Sequence, residues 1–318
     1  MRNRQNLARR RTILELLRWA SSYFNSQHIE NPRASAEILL SHSLNMERID
    51  LYLRHDQPLS ADELRRFDEL VRRRLRREPV AYIVGQKNFW SLNLRVTEDV
   101  LIPRPETECL VERALEILGA RKSEGPPSIL DLGAGSGAII LALASERPME
   151  RLFASDASMA ALTVAEENAR RHGLENSVAF FCGRWFEPLR PLEQFDMVVS
   201  NPPYIPTHII QTLAPEIFQY EPAGALDGGA DGLDAVSIII SQAHRYMTPG
   251  GVLLMEIGWN QRGAVEDLAR QSGRYEGIRF IKDYGGHDRI LEMVKTASAE
   301  DFEKNLADRK SICYKKQI

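Results

Sequence analysis

Two short segments of the 318-residue sequence hold side chains whose types and spacing could do chemistry: Asp131-Leu132-Gly133-Ala134-Gly135-Ser136-Gly137 and Ser200-Asn201-Pro202-Pro203-Tyr204. In the first, the glycines let the backbone turn tightly and let a ligand approach main-chain atoms closely. A ligand held there sits over a helix N-terminus. Asp131 would repel a pyrophosphate but suit an amino group or a sulfonium. Asp156, at the end of the next strand, is placed to accept both hydroxyls of an adenosine ribose. Gly133, Gly135 and Ala138 also roughly fit a dinucleotide fingerprint, and Asp156 would suit NAD equally well, so the loop alone admits more than one nucleotide ligand.

The second segment adds a different chemistry. Pro202 and Pro203 remove two backbone donors and stiffen the loop. They leave the Asn201 side chain and the Pro202 carbonyl as exposed acceptors without internal partners. Two such oxygens can hold both N–H bonds of an –NH2 group and aim its nitrogen at a methyl donor. Tyr204 supplies a flat ring to pack against a planar substrate. An amide nitrogen is a poor nucleophile, so orientation and well-placed acceptors must carry the catalysis. No Ser–His or Cys–His arrangement suggests a general base.

These segments need a scaffold that ends strands beside one another. From Ile129 onward, strands alternate with helices: Ile129–Leu132, Leu152–Ser155, Val178–Phe181, Met197–Ser200 and Val252–Ile257 read as strands. Ala138–Ser145, Ala160–His172 and Asp234–Met247 read as helices, and Gly250-Gly251 as the turn before the strand at Val252. That alternation predicts an α/β fold with a doubly wound, mostly parallel sheet. Ile278–Asp283 and Arg289–Val294, separated by Tyr284-Gly285-Gly286-His287, predict a terminal hairpin with one antiparallel strand.

The N-terminal part reads as helices. Ile13, Leu16, Leu17 and Ala20 recur at helical spacing, Asn31-Pro32 reads as an N-cap with proline at the first helical position, and Ser60 with Glu63 as a capping box. Arg65, Arg66, Arg72, Arg73, Arg74, Arg76 and Arg77 form a basic face that is either solvated or a docking surface. Phe89 to Ile102 alternates, with Thr97-Glu98-Asp99 as the turn signal of a β-hairpin, and a helix follows over Glu106–Leu118. The expected division is a helical docking domain over 1–86, a hairpin linker over 87–104, a catalytic domain over 105–294 and a charged extension over 295–318.

A net charge of −3 argues against a surface given over to nucleic acid. No apolar run approaches the roughly 20 residues needed to cross a bilayer. Cys109, Cys182 and Cys313 lack metal-ligand spacing and fit a reducing compartment. Arg2, Arg4, Arg9, Arg10 and Arg11 are cationic like a transit peptide, but they lack serine and run straight into a helical pattern, so the expected location is the cytoplasm.

The two chemical segments together, D-x-G-x-G-S-G and N-P-P-Y, resemble those of class I methyltransferases that modify –NH2 groups. Leu101-Ile102-Pro103-Arg104-Pro105-Glu106-Thr107-Glu108 is similar to the release-factor glutamine methyltransferases, as are Trp185-Phe186, Glu221-Pro222, Glu256-Ile257-Gly258-Trp259 and Asp283-Tyr284-Gly285. The likeness runs from about Leu14 to Val294. It implies a seven-stranded class I sheet. It also implies S-adenosylmethionine bound by Asp131, Gly133, Ala134, Gly135, Ser136, Gly137, Asp156 and Trp185, with Asn201 beside it. The substrate glutamine would be held by Asn201, Pro202, Pro203 and Tyr204, with Asn201, Pro202 and Tyr204 carrying the catalysis. The implied partner is a peptide-chain release factor, methylated at the glutamine of Gly-Gly-Gln. The chain departs from the pattern at Gly183-Arg184, where many relatives carry an acid: an arginine cannot accept from the adenine amino group.

Other readings share parts of this evidence. The same chemistry on a ribosomal protein would keep both loops. Adenine methylation would call for broad positive charge and a base-flipping domain. An oxidoreductase gives Asn-Pro-Pro-Tyr no role, and a binding module without turnover has no need of it. Glu106 and Glu108 suit either a cofactor pocket or a helix N-terminus. Asp227, Asp231 and Asp234 lack the spacing and the bidentate glutamate of a calcium loop, no metal is expected, and His287 reads as a turn residue.

Overall fold

The computed structural model describes residues 11–121, 125–190 and 194–296. Arg2, Arg4, Arg9, Arg10, Cys313 and the extension beyond Thr296 lie outside the described residues. The chain packs as two units: residues up to Gln86 with Ala214–Tyr220, and the remainder.

In the first unit, α1 (Ile13–Ser26) opens with a reciprocal capping box between Thr12 and Glu15, which the sequence reading passed over. α2 (Pro32–Leu44) starts at its proline as expected, but Asn31 is left-handed (φ 48°) and its side chain caps nothing. After the short α3 (Asp50–Leu53), α4 (Ala61–Leu75) carries the expected Ser60–Glu63 capping box, and α5 (Val80–Val84) follows Pro79. Ile13, Leu17 and Phe24 of α1 close a core with Leu39 and Leu40 of α2 and Phe67 and Val71 of α4.

The basic face of α4 is taken up largely by pairs inside this unit. Arg65 meets Asp62, Arg72 meets Asp68, and Arg73 meets Glu78. Arg66 donates to the Ser43 carbonyl and Arg77 to that of His28. Arg74 is buried and reaches Glu216 at 2.9 Å, which recruits the distant Ala214–Tyr220 stretch to the helical unit.

The second unit begins with the hairpin of β1 (Gln86–Phe89) and β2 (Leu92–Arg95). Its turn is at Trp90-Ser91 and not at Thr97-Glu98-Asp99, which instead closes a separate turn through Val100 N–H on the Thr97 carbonyl. The true turn lacks a glycine or asparagine signal. Trp90 takes a left-handed conformation (φ 53°), and its N–H donates to Glu108 Oε1 at 2.8 Å. α6 (Glu108–Ala120) follows a 3₁₀ turn at Pro105–Thr107, so it starts two residues later than expected.

The main sheet has seven strands in the order β5-β4-β3-β6-β7-β9-β8. These are β3 (Ser128–Leu132), β4 (Arg151–Asp156), β5 (Val178–Cys182), β6 (Phe195–Ser200), β7 (Met247–Glu256), β8 (Tyr275–Lys282) and β9 (Asp288–Lys295). β3 to β7 run parallel to one another, and β9 runs antiparallel between β7 and β8. The helices of this unit include α7 (Ala138–Glu146), α8 (Met159–Arg171), α9 (Asp234–Ala243) and α10 (Arg262–Ser272). α9 stops at Ala243, and Met247 already belongs to β7. Gly250-Gly251 therefore lies inside that strand, where the register with β6 shifts, instead of ahead of it.

The strand order reverses at β3: the chain runs outward to β4 and β5, then returns to the other side of β3 as β6. Leu132 is in register with Ser155 on one side and Ser200 on the other. The loops after β3, β4 and β6 thus leave one edge side by side, at the crevice where open α/β sheets bind ligands.

A buried side chain on α8 fastens the first of these loops. Asn168 is fully buried; its Nδ2 donates to the Ser136 carbonyl (2.9 Å) and the Arg95 carbonyl (3.0 Å), and its Oδ1 accepts from Arg95 N–H (2.6 Å). Asn168→Leu keeps the volume but leaves these backbone groups unpaired. A loss of about 2–4 kcal/mol in unfolding free energy is expected by urea denaturation. A loss below about 0.5 kcal/mol would show that the loop is held by other means.

Candidate active site

The glycine loop needs its glycines for conformation: Gly133, Gly135 and Gly137 have φ of 75°, 55° and 81°. Gly133 and Ala134 donate to the Ser155 carbonyl, at 2.8 and 3.0 Å. The Asp156 carboxylate takes the Gly135 N–H (2.9 Å) on one oxygen and the Ser158 N–H (2.8 Å) on the other. A carboxylate offers about four acceptor sites, so each oxygen retains capacity for a hydroxyl.

Asp131 is wholly buried in β3, and neither carboxylate oxygen has a hydrogen-bond partner among the described residues. Burial pushes its pKa up to about 8, and the Asp156 charge adds to the rise; the Ile140 N–H partly offsets both without completing a hydrogen bond. Trp185 holds a left-handed backbone (φ 50°), a strained state for a bulky residue. Its Nε1 is buried and unpartnered, while its ring comes within 3.7 Å of where a side chain on Gly133 would begin. Arg184 is exposed beside it.

The Asn-Pro-Pro-Tyr loop leaves β6 directly, with Ser200 Oγ donating to the Leu132 carbonyl at 2.7 Å. Contrary to the expectation of an unpartnered side chain, Asn201 Nδ2 donates to Thr107 Oγ1 at 3.2 Å. Thr107 donates in turn to Glu256 Oε2 (2.7 Å), and the Tyr204 hydroxyl donates to Glu256 Oε1 (3.1 Å). Burial raises the Glu256 pKa, opposed by the Thr107 hydrogen bond and the Arg289 charge. Burial and the Glu256 charge push the Tyr204 phenol well above its ordinary value, so it stays a donor. Beyond the loop, Gln261 Nε2 donates to the carbonyls of Tyr204 and Gly232, each at 3.0 Å. Gly232 (φ 79°) must be glycine, because a Cβ there would lie 2.3 Å from the Tyr204 carbonyl oxygen.

A cavity of about 740 Å³ joins the two loops. Gly133, Ala134, Gly135, Ser136, Asp156 and Trp185 line it, together with Asn201 and Pro203. Asp131, Gly137, Pro202 and Tyr204 are not among its lining residues. Glu106 and Glu108 are not on it either; Glu108 holds the hairpin turn at Trp90. The wall carries Asp99, Asp156, Asp227 and Asp234 against one base, Arg184. That balance suits a cationic ligand and opposes a pyrophosphate. The residues present therefore fit a nucleoside with an attached sulfonium and ammonium, S-adenosylmethionine, better than they fit NAD. Asp227 and Asp231 are engaged in local turns, in which Asp227 accepts from Gly229 N–H and Asp231 from Leu233 N–H, and Asp234 opens α9. His287 sits in the turn between β8 and β9.

Sequence reading missed Thr107, Glu256, Gln261 and Asn168 as parts of the site. Thr107 and Glu256 fall inside quoted segments, but nothing in the linear order shows that they meet.

A pH test follows from Asp131. Burial holds this proton to about pH 8, against 3.8 for an unburied carboxyl. Native protein therefore binds more protons than unfolded chain in that window, and stability falls as pH rises through it, then levels above it. Asp131→Asn removes this contribution, so its stability relative to wild type should climb from pH 5 to pH 8 in urea denaturation. A difference independent of pH would contradict the assignment.

Comparison with known proteins agrees with this geometry. Residues 15–85 match the PrmC N-terminal domain, and residues 126–306 match a methyltransferase domain. The release factor glutamine methyltransferase of Rhodopirellula baltica is 39% identical over 285 residues, covering 89% of this chain and 96% of that protein. The enzymes of the same name from Geobacter sulfurreducens and Moorella thermoacetica are 41% and 44% identical, covering 88% and 83% of this chain and 95% and 91% of those proteins. Among solved structures, the hMettl16 catalytic domain in complex with MAT2A 3'UTR hairpin 6 matches with a TM-score of 0.53 at 14% identity, over 65% of this chain and 76% of that one, a likeness of fold alone. With relatives 39–44% identical and matched over nearly their whole length, the chain belongs to the S-adenosylmethionine-dependent release factor glutamine methyltransferases.

Proposed function

We propose that the chain methylates the side-chain amide nitrogen of the glutamine in the Gly-Gly-Gln motif of peptide-chain release factors, in the cytoplasm. The observation that carries this reading is that Asn201 lines the same cavity as the glycine loop, with its –NH2 end already engaged by Thr107. Its Oδ1 is left to accept from a substrate. Bound S-adenosylmethionine supplies an electrophilic methyl group on sulfur. Asn201 Oδ1 and the Pro202 carbonyl take the two N–H bonds of the glutamine amide and point its nitrogen at that methyl. As the new N–C bond forms and the S–C bond breaks, these two fixed dipoles stabilise the charge gained by the nitrogen. The products are the N-methyl amide, S-adenosylhomocysteine and one amide proton released to water. Pro203 lines the same cavity wall. Tyr204 stiffens the loop through Glu256.

The division proposed is a substrate-docking helical domain over 1–86, a linker over 87–104, the chemistry over 105–294 and an extension from 295 on. No membrane partner and no nucleic-acid substrate are proposed. Among the described residues, no helix is long and apolar enough to cross a membrane.

Transfer of labelled methyl from S-adenosylmethionine to purified release factor tests the proposal, with the Gln→Ala tripeptide variant, ribosomal proteins and adenine-containing DNA alongside. Label on intact release factor alone is expected. Label on a ribosomal protein would keep the chemistry and move the substrate, and label on DNA would overturn the substrate class. Asn201→Ala should lower kcat by about 10²–10³-fold, the scale for loss of one preorganised dipole. Its affinity for S-adenosylhomocysteine should change less. Wild-type kcat in that variant would rule out the role given to Asn201.

A further inference from the structure

We infer that Thr107 and Glu256 are positioning residues that set which end of the Asn201 amide faces the substrate. The inference rests on the proposed role of Asn201 and adds how the chain enforces it. An asparagine amide is nearly symmetric in shape, so packing alone does not distinguish its oxygen from its –NH2 group. Only a partner with a fixed donor or acceptor role can choose, and the choice decides the chemistry. With Oδ1 toward the cavity the side chain accepts from a substrate –NH2 group; turned over, it presents a donor to a donor.

The choice is made two bonds away. Glu256 is buried, and its two oxygens accept from two different hydroxyls, Oε2 from Thr107 at 2.7 Å and Oε1 from Tyr204 at 3.1 Å. Burial raises the Glu256 pKa, opposed by the Thr107 hydrogen bond and the Arg289 charge; acceptance from two hydroxyls at once is the arrangement of a carboxylate, since a protonated acid could not accept from both as readily. A hydroxyl has one hydrogen. Thr107 commits its hydrogen to Glu256, so toward Asn201 it can only accept. Asn201 must then turn Nδ2 to Thr107, as it does at 3.2 Å, and Oδ1 away from it. The polarity of the relay thus runs from a buried charge, through one hydroxyl, to the substrate-facing atom. Thr107 comes from the 3₁₀ turn ahead of α6 and Glu256 from the end of β7, so both elements must be in place before Asn201 is oriented. Thr107 also borders the cavity, but its hydroxyl is spent on this relay.

The test compares Thr107→Val, which keeps the shape and removes the hydroxyl, with Thr107→Ser, which keeps the hydroxyl. Thr107→Val should lower kcat for release-factor methylation at least tenfold, with KM for the release factor and affinity for S-adenosylhomocysteine within about twofold of wild type. Thr107→Ser should restore kcat to within about threefold. Equal losses in both variants, or a wild-type kcat in Thr107→Val, would overturn the inference. A second readout is independent of the substrate: ¹⁵N NMR of the Asn201 side-chain NH2. Its hydrogens should exchange with solvent at least tenfold faster in Thr107→Val than in wild type or Thr107→Ser. Unchanged exchange overturns the inference whatever the substrate is. Altered exchange in a protein that leaves release factor unmethylated would uphold the relay and refute the substrate instead.

Discussion

The alignment of β3 between β4 and β6 is the constraint on which the site depends. Leu132 pairs with Ser155 on one flank and Ser200 on the other, so the next residues of all three strands emerge at one level. That single register places the glycine loop between Asp156 and Asn201. A slip of one residue would exchange the faces of the strand and separate donor site from acceptor site. Burial enforces the register: every residue of β3 is buried, and its aliphatic side chains feed cores on both sides of the sheet.

Onto that frame the chain adds polar groups whose burial has consequences. Asp131 sits unpaired inside β3 and holds its proton toward neutral pH, whereas Glu256 is surrounded by hydroxyl donors and an arginine. The two acids stand for two uses of a buried carboxyl group. Asp131 is a neutral acid beside the cavity until pH rises to about 8. Glu256 fixes the direction of a hydrogen-bond chain. Both cost stability unless compensated; Gln261 and Asn168 separately hold the backbone of the two loops.

Much of this was legible in the linear sequence, because the chemistry lies where strands stop. Glycines after an apolar run, an acid at the next strand end and two prolines after a third marked the loops, and the alternation of strands with helices predicted the mostly parallel sheet. What escaped had no local signal. Thr107, Asn201 and Glu256 are far apart in sequence and meet only when α6, β6 and β7 pack. The Trp90-Ser91 turn was hidden because the alternation runs on through it, and its left-handed tryptophan is stabilised by Glu108 on another element. The return of Ala214–Tyr220 to the helical unit depends on the Arg74–Glu216 pair, which an arginine-rich helix face does not single out.

The most direct measurement is a crystal structure of the chain with S-adenosylhomocysteine and a glutamine-bearing Gly-Gly-Gln peptide. The expected result has the thioether over the Gly133–Gly137 loop and the glutamine Nε2 donating to Asn201 Oδ1 and the Pro202 carbonyl, with Nδ2 of Asn201 still on Thr107. A glutamine amide bound outside the cavity, or held by the acids on its wall with Asn201 unengaged, would contradict the claim that donor and acceptor meet where β3 and β6 end.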